Sequence, residues 1–406
     1  MKNKYIGLIL VIVILLGLVI FMIKSKDLIE SPVKDTINMT KTWNTNNWNN
    51  TTNNNSMNQV TNALWLKSAS WFSISIYSQG FKWPRVLVMD PKWNLIASQT
   101  QDWKIIAIKK GTGEAMIAEI LASGLSSPHG LLFKLVNGNQ KLYVAETDKI
   151  TTFDYDVENQ KLSNSKKLLD LPSWGRHFTK TLLGLNDWRI LISVGSSCDT
   201  CVERNDKRWA ILVMNDDWTD LKKYATWLRN SVFMKIDPKS GNVFATEMWR
   251  DFLWDNLPPD EINVIKEGGF YGWPYCYGKK ITDTDFDKSK KAEETCPNSN
   301  PSFIDIQAHS APLWLEFIPS SWDEEYSWDL LVAYHWSWNR STPTGYKIVR
   351  MKLDDQGNYL WTEDFITWWI SSWRITGRPV DLLFSPDGTL FMSDDRYWAI
   401  YKITQR

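Results

Sequence analysis

The sequence predicts an all-β fold, a six-bladed β-propeller, carried behind an N-terminal transmembrane anchor. Three observations lead there. An unbroken apolar run opens the chain. From residue 70 onward, apolar residues alternate in short period-2 segments bounded by turn signals, and no helix-length amphipathic segment stands out. One strand-turn-strand unit recurs six times.

Residues 5–23, YIGLILVIVILLGLVIFMI, are long enough to cross a bilayer as a helix. Lys2 and Lys4 precede the run, and Lys24 and Lys26 follow it. No small-residue cleavage site closes it, which predicts a retained anchor over 1–26 rather than a removed signal peptide. The Asn/Thr-rich stretch from Thr40 to Asn62 argues against a core helix. It has too little apolar surface to fold and reads as a tether, so 27–68 is a linker. The globular domain, 69–406, is then expected outside the cytoplasmic membrane.

In each repeat, an apolar strand and a polar turn lead into a short apolar strand that ends on a polar residue. The second strands read Leu95–Ser98, Leu142–Glu146, Ile190–Val194, Val243–Glu247, Leu330–His335 and Leu390–Asp395. They are about fifty residues apart, with one longer fifth unit, the spacing of propeller blades. A β-sandwich is the alternative, and it has no need of six copies of one unit.

Charge and composition narrow the function. Lys+Arg 46 balance Asp+Glu 46, so the basic excess of a nucleic-acid binder is missing. Four Cys and four His are too few for a zinc array, and no two His stand at a metal-ligand spacing. Cys198-x-x-Cys201 reads as a redox pair or a loop bridge. A thioredoxin-like site would need a βαβ context that is lacking. Outside the membrane, bridges 198–201 and 276–296 are the simplest reading.

The tryptophans are anomalous, 25 of them against 20 Gly. The last repeat turns through Ser385-Pro386-Asp387-Gly388-Thr389, and the first through Asp90-Pro91-Lys92-Trp93-Asn94, so that Trp93 stands in the glycine slot. Asp187-Trp188, Asp102-Trp103 and Asp217-Trp218 repeat the pattern. The second position of such a turn needs φ > 0, which glycine adopts freely. A gene in which UGA encodes glycine, translated with a table that reads UGA as tryptophan, produces this sequence. Glycine is therefore expected at Trp71, Trp83, Trp93, Trp103, Trp174, Trp188, Trp209, Trp218, Trp227, Trp249, Trp254, Trp314, Trp328, Trp336, Trp361, Trp368, Trp373 and Trp398. Trp273, Trp322, Trp338 and Trp369 are expected to be tryptophan.

With that substitution, residues 70 to 404 carry a run of specific motifs. They are Trp174-Gly175-Arg176-His177-Phe178-Thr179, then ISVGSSCDTC, Thr226-Trp227-Leu228-Arg229-Asn230, and TEMWRDFLWDNLPPDEINVIKEGGFYGWPYCYG from Thr246 to Gly278. His309-Ser310-Ala311-Pro312-Leu313, the segment Ala333 to Ser341, and Gly377-Arg378-Pro379-Val380-Asp381 follow. In content and order these motifs resemble the soluble pyrroloquinoline-quinone (PQQ) dependent sugar dehydrogenases, the glucose/sorbosone dehydrogenase family. The resemblance implies a six-bladed propeller, in agreement with the repeat count. It also implies PQQ and calcium as cofactors, and oxidation of an aldose at C1 by hydride transfer to PQQ.

The resemblance makes His177 the general base, a role suited to a side chain that titrates near neutrality. Arg176 stands where other branches of the family carry an acidic residue that orients the base, which leaves that partner of His177 open. The three carboxylates of PQQ call for guanidinium forks, and Arg229 with Asn230 match the family's pair, followed by Arg378 and Arg340. His129, His309 and Asp394 are further cofactor contacts, with loop packing the alternative for each, and Asp395 ends the same strand. The family's calcium takes backbone carbonyls at the positions of Trp249 and Arg250, where Arg250 replaces a proline. Asp260 and Glu261 are read as loop-structuring carboxylates or a second calcium site.

The partners expected are a sugar substrate, an electron acceptor and, through the N-terminal helix, a membrane. Two other readings stand beside this one. One is a cofactor-free propeller that binds sugar or protein, because fold alone does not fix function. The other is a metal-dependent lactonase, which would want a Glu/Asn/Asp cluster at the mouth.

Overall fold

The computed structural model describes residues 66–69, 71–111, 116–367, 369–371 and 374–406. Residues 1–65, which hold the expected anchor and most of the linker, lie outside them, as do Trp368 and Trp373. Among the described residues no helix is long and apolar enough to cross a membrane.

Among the described residues six sheets of four or five strands follow one another along the chain, antiparallel except for one short parallel pair at the outer edge of the third, with two further two-stranded ribbons. Their inner strands are Pro84–Met89, Gly130–Val136, Lys180–Gly184, Met234–Ile236, Pro312–Phe317 and Pro379–Phe384. Each is followed by a second strand: Leu95–Gln99, Asn139–Ala145, Ile190–Val194, Val243–Glu247, Leu330–Tyr334 and Leu390–Asp394. These are the six strands read from the repeat, within a few residues at their ends. The sixth sheet takes its outer strand, Phe72–Gln79, from the start of the domain, paired antiparallel with Ala399–Gln405. This shared blade closes the ring. The longer fifth spacing comes from blade 4, where the segment between Asp260–Ile265 and Ile304–Ile306 carries a short helix, Lys291–Thr295, and the Cys276–Cys296 disulfide.

Five of the six second strands are buried along their whole length, and Asn139–Ala145 is buried from Leu142 on, hence their near-continuous apolar sequences. Inner strands meet across the axis. His129 from blade 2 packs on Phe233 from blade 4 with ring centroids 5.3 Å apart, and Phe233 packs on Trp314 from blade 5 at 4.5 Å. Hydroxyls on second strands stitch each blade to the next. Thr246 Oγ1 donates to Leu313 O at 2.7 Å, Ser393 Oγ donates to Arg85 O at 2.6 Å, and Ser193 Oγ donates to Ser231 O.

All inner strands start at the same end of the propeller, and all second strands finish there. In blades 1, 5 and 6 the inner strand opens on a proline, and the register shifts at once, between Pro84 and Leu87, Pro312 and Leu315, and Pro379 and Leu382. Proline is tolerated at the first residue of a strand, and a bulge bends the strand away from its neighbour. The residues just before the inner strands and just after the second strands therefore gather at this end, the mouth of the propeller.

The backbone sorts the tryptophans in part: at Trp71, Trp174, Trp249, Trp254, Trp314, Trp336 and Trp361, where glycine is also expected, φ is not positive, and Trp249 and Trp314 are buried, so the conformation does not call for glycine there. Trp83, Trp93, Trp103, Trp188, Trp209, Trp218, Trp227, Trp328 and Trp398 have φ between 46° and 74°. These nine belong to the eighteen positions where glycine is expected, and each costs about 1–2 kcal/mol in that conformation. None of the four expected to be tryptophan has positive φ, and Trp273, Trp322 and Trp369 are buried. At these nine positions the fold uses a conformation that glycine alone adopts without cost.

Candidate active site

His177 lies in the loop before the inner strand of blade 3, part-buried against Ser196 at the end of that blade's second strand. Its Nδ1 is 2.8 Å from Ser196 Oγ and 3.0 Å from Ser196 O. Ser196 Oγ donates its own hydrogen to Cys198 O at 2.8 Å. Both Ser196 oxygens therefore accept, so Nδ1 carries the imidazole proton and Nε2 keeps its lone pair. No described residue hydrogen-bonds Nε2. Burial, and then the charges of Arg229 and Arg176, hold the His177 pKa well below the usual histidine value. The ring is thus neutral at neutral pH, with a free base nitrogen.

The orienting partner missing from the sequence reading is Ser196. Arg176 instead turns to Asp251 at 3.3 Å and Asp199 at 3.6 Å. Both cysteine bridges expected from the sequence are formed. The Cys198–Cys201 bridge closes the loop that carries Cys198 O and Asp199.

Arg229 is buried beside this loop. Its Nε donates to Asp199 O at 2.8 Å, one terminal nitrogen to Asp199 Oδ1 at 2.6 Å, and the other to Met248 O at 3.0 Å. Despite burial, Arg229 holds the Asp199 carboxyl below its usual range, while burial and the charge of Asp199 push Asp251 up. Asn230 follows, its backbone N–H on Glu247 Oε1 at 2.6 Å. Burial raises Glu247 to about 7.

A second charged group faces blades 5, 6 and 1. Asp395 accepts from His335 Nε2 at 3.1 Å, Arg378 Nε at 2.9 Å and Arg85 at 2.5 Å. Burial works to raise Asp395, yet His335, Arg85 and Arg378 outweigh it and hold the carboxyl well below the usual range. Burial pushes His335 down to about 4 against the pull of Asp395, so the neutral imidazole donates Nε2–H. Arg378 spends only Nε on this carboxylate, and its terminal nitrogens remain available as a fork.

The main-chain carbonyls of Trp249 and Arg250 receive no hydrogen bond from any described residue. The Trp249 N–H is held by Asp260 Oδ1 at 2.9 Å, and its indole packs with Trp273 and Tyr277. Arg250 directs its guanidinium to Asp283, 2.9 Å away in the insertion of blade 4, and its Nε donates to Asp251 O at 3.2 Å. Asp260 and Glu261 lie in a strand rather than a loop. Asp260 caps the 249 and 310–311 backbone, and Glu261 accepts from Gly278 N at 2.6 Å. Burial raises them to about 6 and about 8.

Residues 66–406 match the TrAA12-like family. This chain belongs to the TrAA12-like family. Its fold matches the calcium structure of a Trichoderma reesei carbohydrate-active enzyme of family AA12, with a TM-score of 0.73 at 19% identity over 87% of this chain and 100% of that one. The PQQ domain of Coprinopsis cinerea pyranose dehydrogenase gives a TM-score of 0.71 at 20% identity over 84% and 97% of the two chains. Among curated proteins, an uncharacterized Borreliella burgdorferi protein is 29% identical over 70% of this chain and 77% of its own length. The Coprinopsis cinerea PQQ-dependent pyranose dehydrogenase is 23% identical over 69% of this chain, and the chain spans 44% of that protein.

On this TrAA12-like propeller the remaining sequence-derived residues divide. His309 and Arg340 reach the mouth but brace its rim. His309 Nε2 donates to Trp254 O at 3.0 Å, and Arg340 donates to Asp255 O and to Asn256 Oδ1, the latter at 2.9 Å. Asp394 is spent on the protein, accepting from Trp369 Nε1 and from the N–H groups of Arg378, Arg396 and Tyr397. His129 is fully buried, with Nδ1 3.2 Å from Lys180 O and Nε2 without a partner. Ser196, Asp199, Asp251 and Arg85 were missed. Only the run Gly195-Ser196-Ser197-Cys198 beside a histidine motif hinted at the first.

Proposed function

We propose that this protein is a PQQ- and calcium-dependent sugar dehydrogenase that oxidises an aldose at C1. The observation that carries this is the tautomer of His177, protonated at Nδ1 by the Ser196 arrangement and left with a free Nε2 at the mouth of a TrAA12-like propeller. The named sugar dehydrogenases among its relatives and structural neighbours support the same reading.

The residues present fit the cofactors. Arg378 offers a fork for a carboxylate, whereas Arg229, expected to grip PQQ, spends its Nε and both terminal nitrogens on Asp199 and Met248 and instead braces the His177 loop. The carbonyls of Trp249 and Arg250, with no hydrogen bond from the described residues, are the oxygen atoms that would serve calcium. PQQ supplies, when bound with calcium, the electrophilic quinone that accepts the hydride. His177 Nε2 takes the proton of the C1 hydroxyl, and Ser196 holds the ring as it becomes cationic. Arg229 and Arg176 limit how long that charge persists, which favours return of the proton to solvent. An external electron acceptor completes the cycle. The reading includes a tether, with residues 5–23 anchoring the domain on the outer side of the cytoplasmic membrane.

The test is reconstitution of residues 66–406 with PQQ and calcium, with dye reduction measured across a panel of aldoses. PQQ-dependent turnover is the expected result. Folded protein that takes up no PQQ would instead make this a binding propeller.

A further inference from the structure

We propose that Phe252 and Trp338 form an outer sugar subsite at the rim of the mouth, and that the preferred substrate is an oligosaccharide oxidised at its reducing end. This rests on the catalytic reading above and names its substrate class.

Phe252 is 63% exposed and sits at φ 63°. An aromatic residue held in the left-handed region costs about 1 kcal/mol or more, and strain of this kind persists where surrounding structure enforces it. Unlike the turn tryptophans, Phe252 is no candidate for glycine. Its ring meets Trp338 edge-on, with centroids 5.5 Å apart and planes at 90°, and Trp338 is 42% exposed. Two exposed rings at a right angle make a corner rather than a core.

The loop that presents Phe252 is braced from outside. His309 Nε2 holds Trp254 O, Arg340 spans Asp255 O and Asn256 Oδ1, and Ser341 N donates to Asp255 Oδ1 at 3.1 Å. At its near end, Asp251 pairs with Arg176, the residue before the base. The corner is therefore fixed relative to His177, as a preorganised subsite requires. A sugar ring has an apolar C–H face and a rim of hydroxyls. Trp338 also stacks on Trp336, with ring centroids 6.3 Å apart, so the corner offers the exposed aromatic surface of Phe252 and Trp338 flanked by the polar groups of Asp255, Asn256 and Arg340. Trp254 and Leu257 on the same loop and Trp336 beside Trp338 are exposed too, but the charged and amide groups of Asp255, Asn256 and Arg340 interleave with them, which suits the mixed surface of a sugar better than a continuous apolar partner.

The test compares the kcat/KM ratio for maltotetraose and cellotetraose against glucose in wild type, F252A and W338A, alongside tetrasaccharide binding by the protein without PQQ. The preference for one tetrasaccharide is expected to fall about tenfold in each variant, mostly through KM, with W338F retaining most of it. Tetrasaccharide binding that weakens to match would uphold the subsite even if no sugar were oxidised, in which case only the catalytic reading fails. Equal loss on glucose and tetrasaccharide, or no change in either variant, would overturn the subsite while leaving glucose oxidation in place. Binding to anionic lipid vesicles that F252A abolishes, with sugar preference unmoved, would assign the corner to a membrane and overturn it too.

Discussion

At the end of the propeller away from the mouth, Trp93, Trp188, Trp218 and Trp328 hold φ values of 64°, 74°, 72° and 72°. At the mouth, Phe252, His309, Ala311 and Tyr346 hold 63°, 61°, 47° and 60°. The backbone conformation is the same, but the surroundings differ. Trp93 and Trp188 leave more than half their surface in solvent. The turn bonds of Trp93 to Asp90 O at 2.9 Å and of Trp218 to Asn215 O at 3.0 Å repeat that of Gly388 to Ser385 O at 2.9 Å. Some of these indoles still find a neighbour, Trp218 packing on Tyr143 with ring centroids 4.9 Å apart and Lys134 and Lys239 lying over Trp188 and Trp328, but the turn itself asks only for a residue that adopts positive φ. At the mouth each strained residue makes a contact. His309 holds Trp254 O, Ala311 N–H reaches Asp260 at 3.0 Å, Tyr346 donates to Ser337 O at 3.3 Å, and Phe252 meets Trp338. Strain repeated in one hairpin turn after another marks a slot that suits glycine, whereas strain at the mouth holds the loops around the candidate site in place.

Glycine at Trp93, Trp188, Trp218 and Trp328 together should give the largest effect. Each relieves about 1 kcal/mol or more, so Tm by calorimetry should rise by about 5 °C or more with turnover unmoved. Peptide masses from the native organism check the same point, and tryptophan at 93 and 188 would break the comparison. Asp395→Asn comes next. It strips the buried partner from His335, Arg85 and Arg378, and breaking one side of such a group typically costs about 3–5 kcal/mol. Lower Tm and weaker PQQ uptake by titration are expected, and an unchanged protein would show that this wall carries no load.

Ser196→Ala should act through His177. It removes one of two acceptors at Nδ1, leaving Ser196 O, so kcat should fall about tenfold with little change in sugar KM. The acid limb of the pH–rate profile should move, which a merely structural serine would not cause. In wild type that limb is expected below the usual histidine value, because burial and Arg229 depress His177. The smallest effect concerns Glu261. Burial raises it to about 8, so the folded state binds the extra proton. Its charge therefore erodes stability as pH rises from the ordinary carboxyl range toward 8. Glu261→Gln should flatten the decline in Tm between pH 5 and pH 8.

The blades and their order were legible because buried second strands impose a repeating apolar pattern, as Ile190–Val194 and Val243–Glu247 show. The mouth was legible because its loops carry rare residues, His177, Arg229 and Arg378. What orients the base was not. Ser196 is a common residue type, and its role depends on where the Cys198–Cys201 loop places Cys198 O. Arg250 was legible only as a replacement of the family's proline; its partner, Asp283, lies in a distant insertion that sequence spacing does not bring near. Asp394 and Asp395 are adjacent and alike in sequence. Only the fold shows that one caps backbone while the other gathers a histidine and two arginines.

The most direct measurement is dye-coupled turnover of PQQ- and calcium-loaded His177→Ala beside wild type on a shared aldose, with PQQ uptake followed by titration. Loss of about a hundredfold or more in kcat, in protein that still takes up PQQ, is the result expected of a base at Nε2. Turnover within a fewfold of wild type would contradict it.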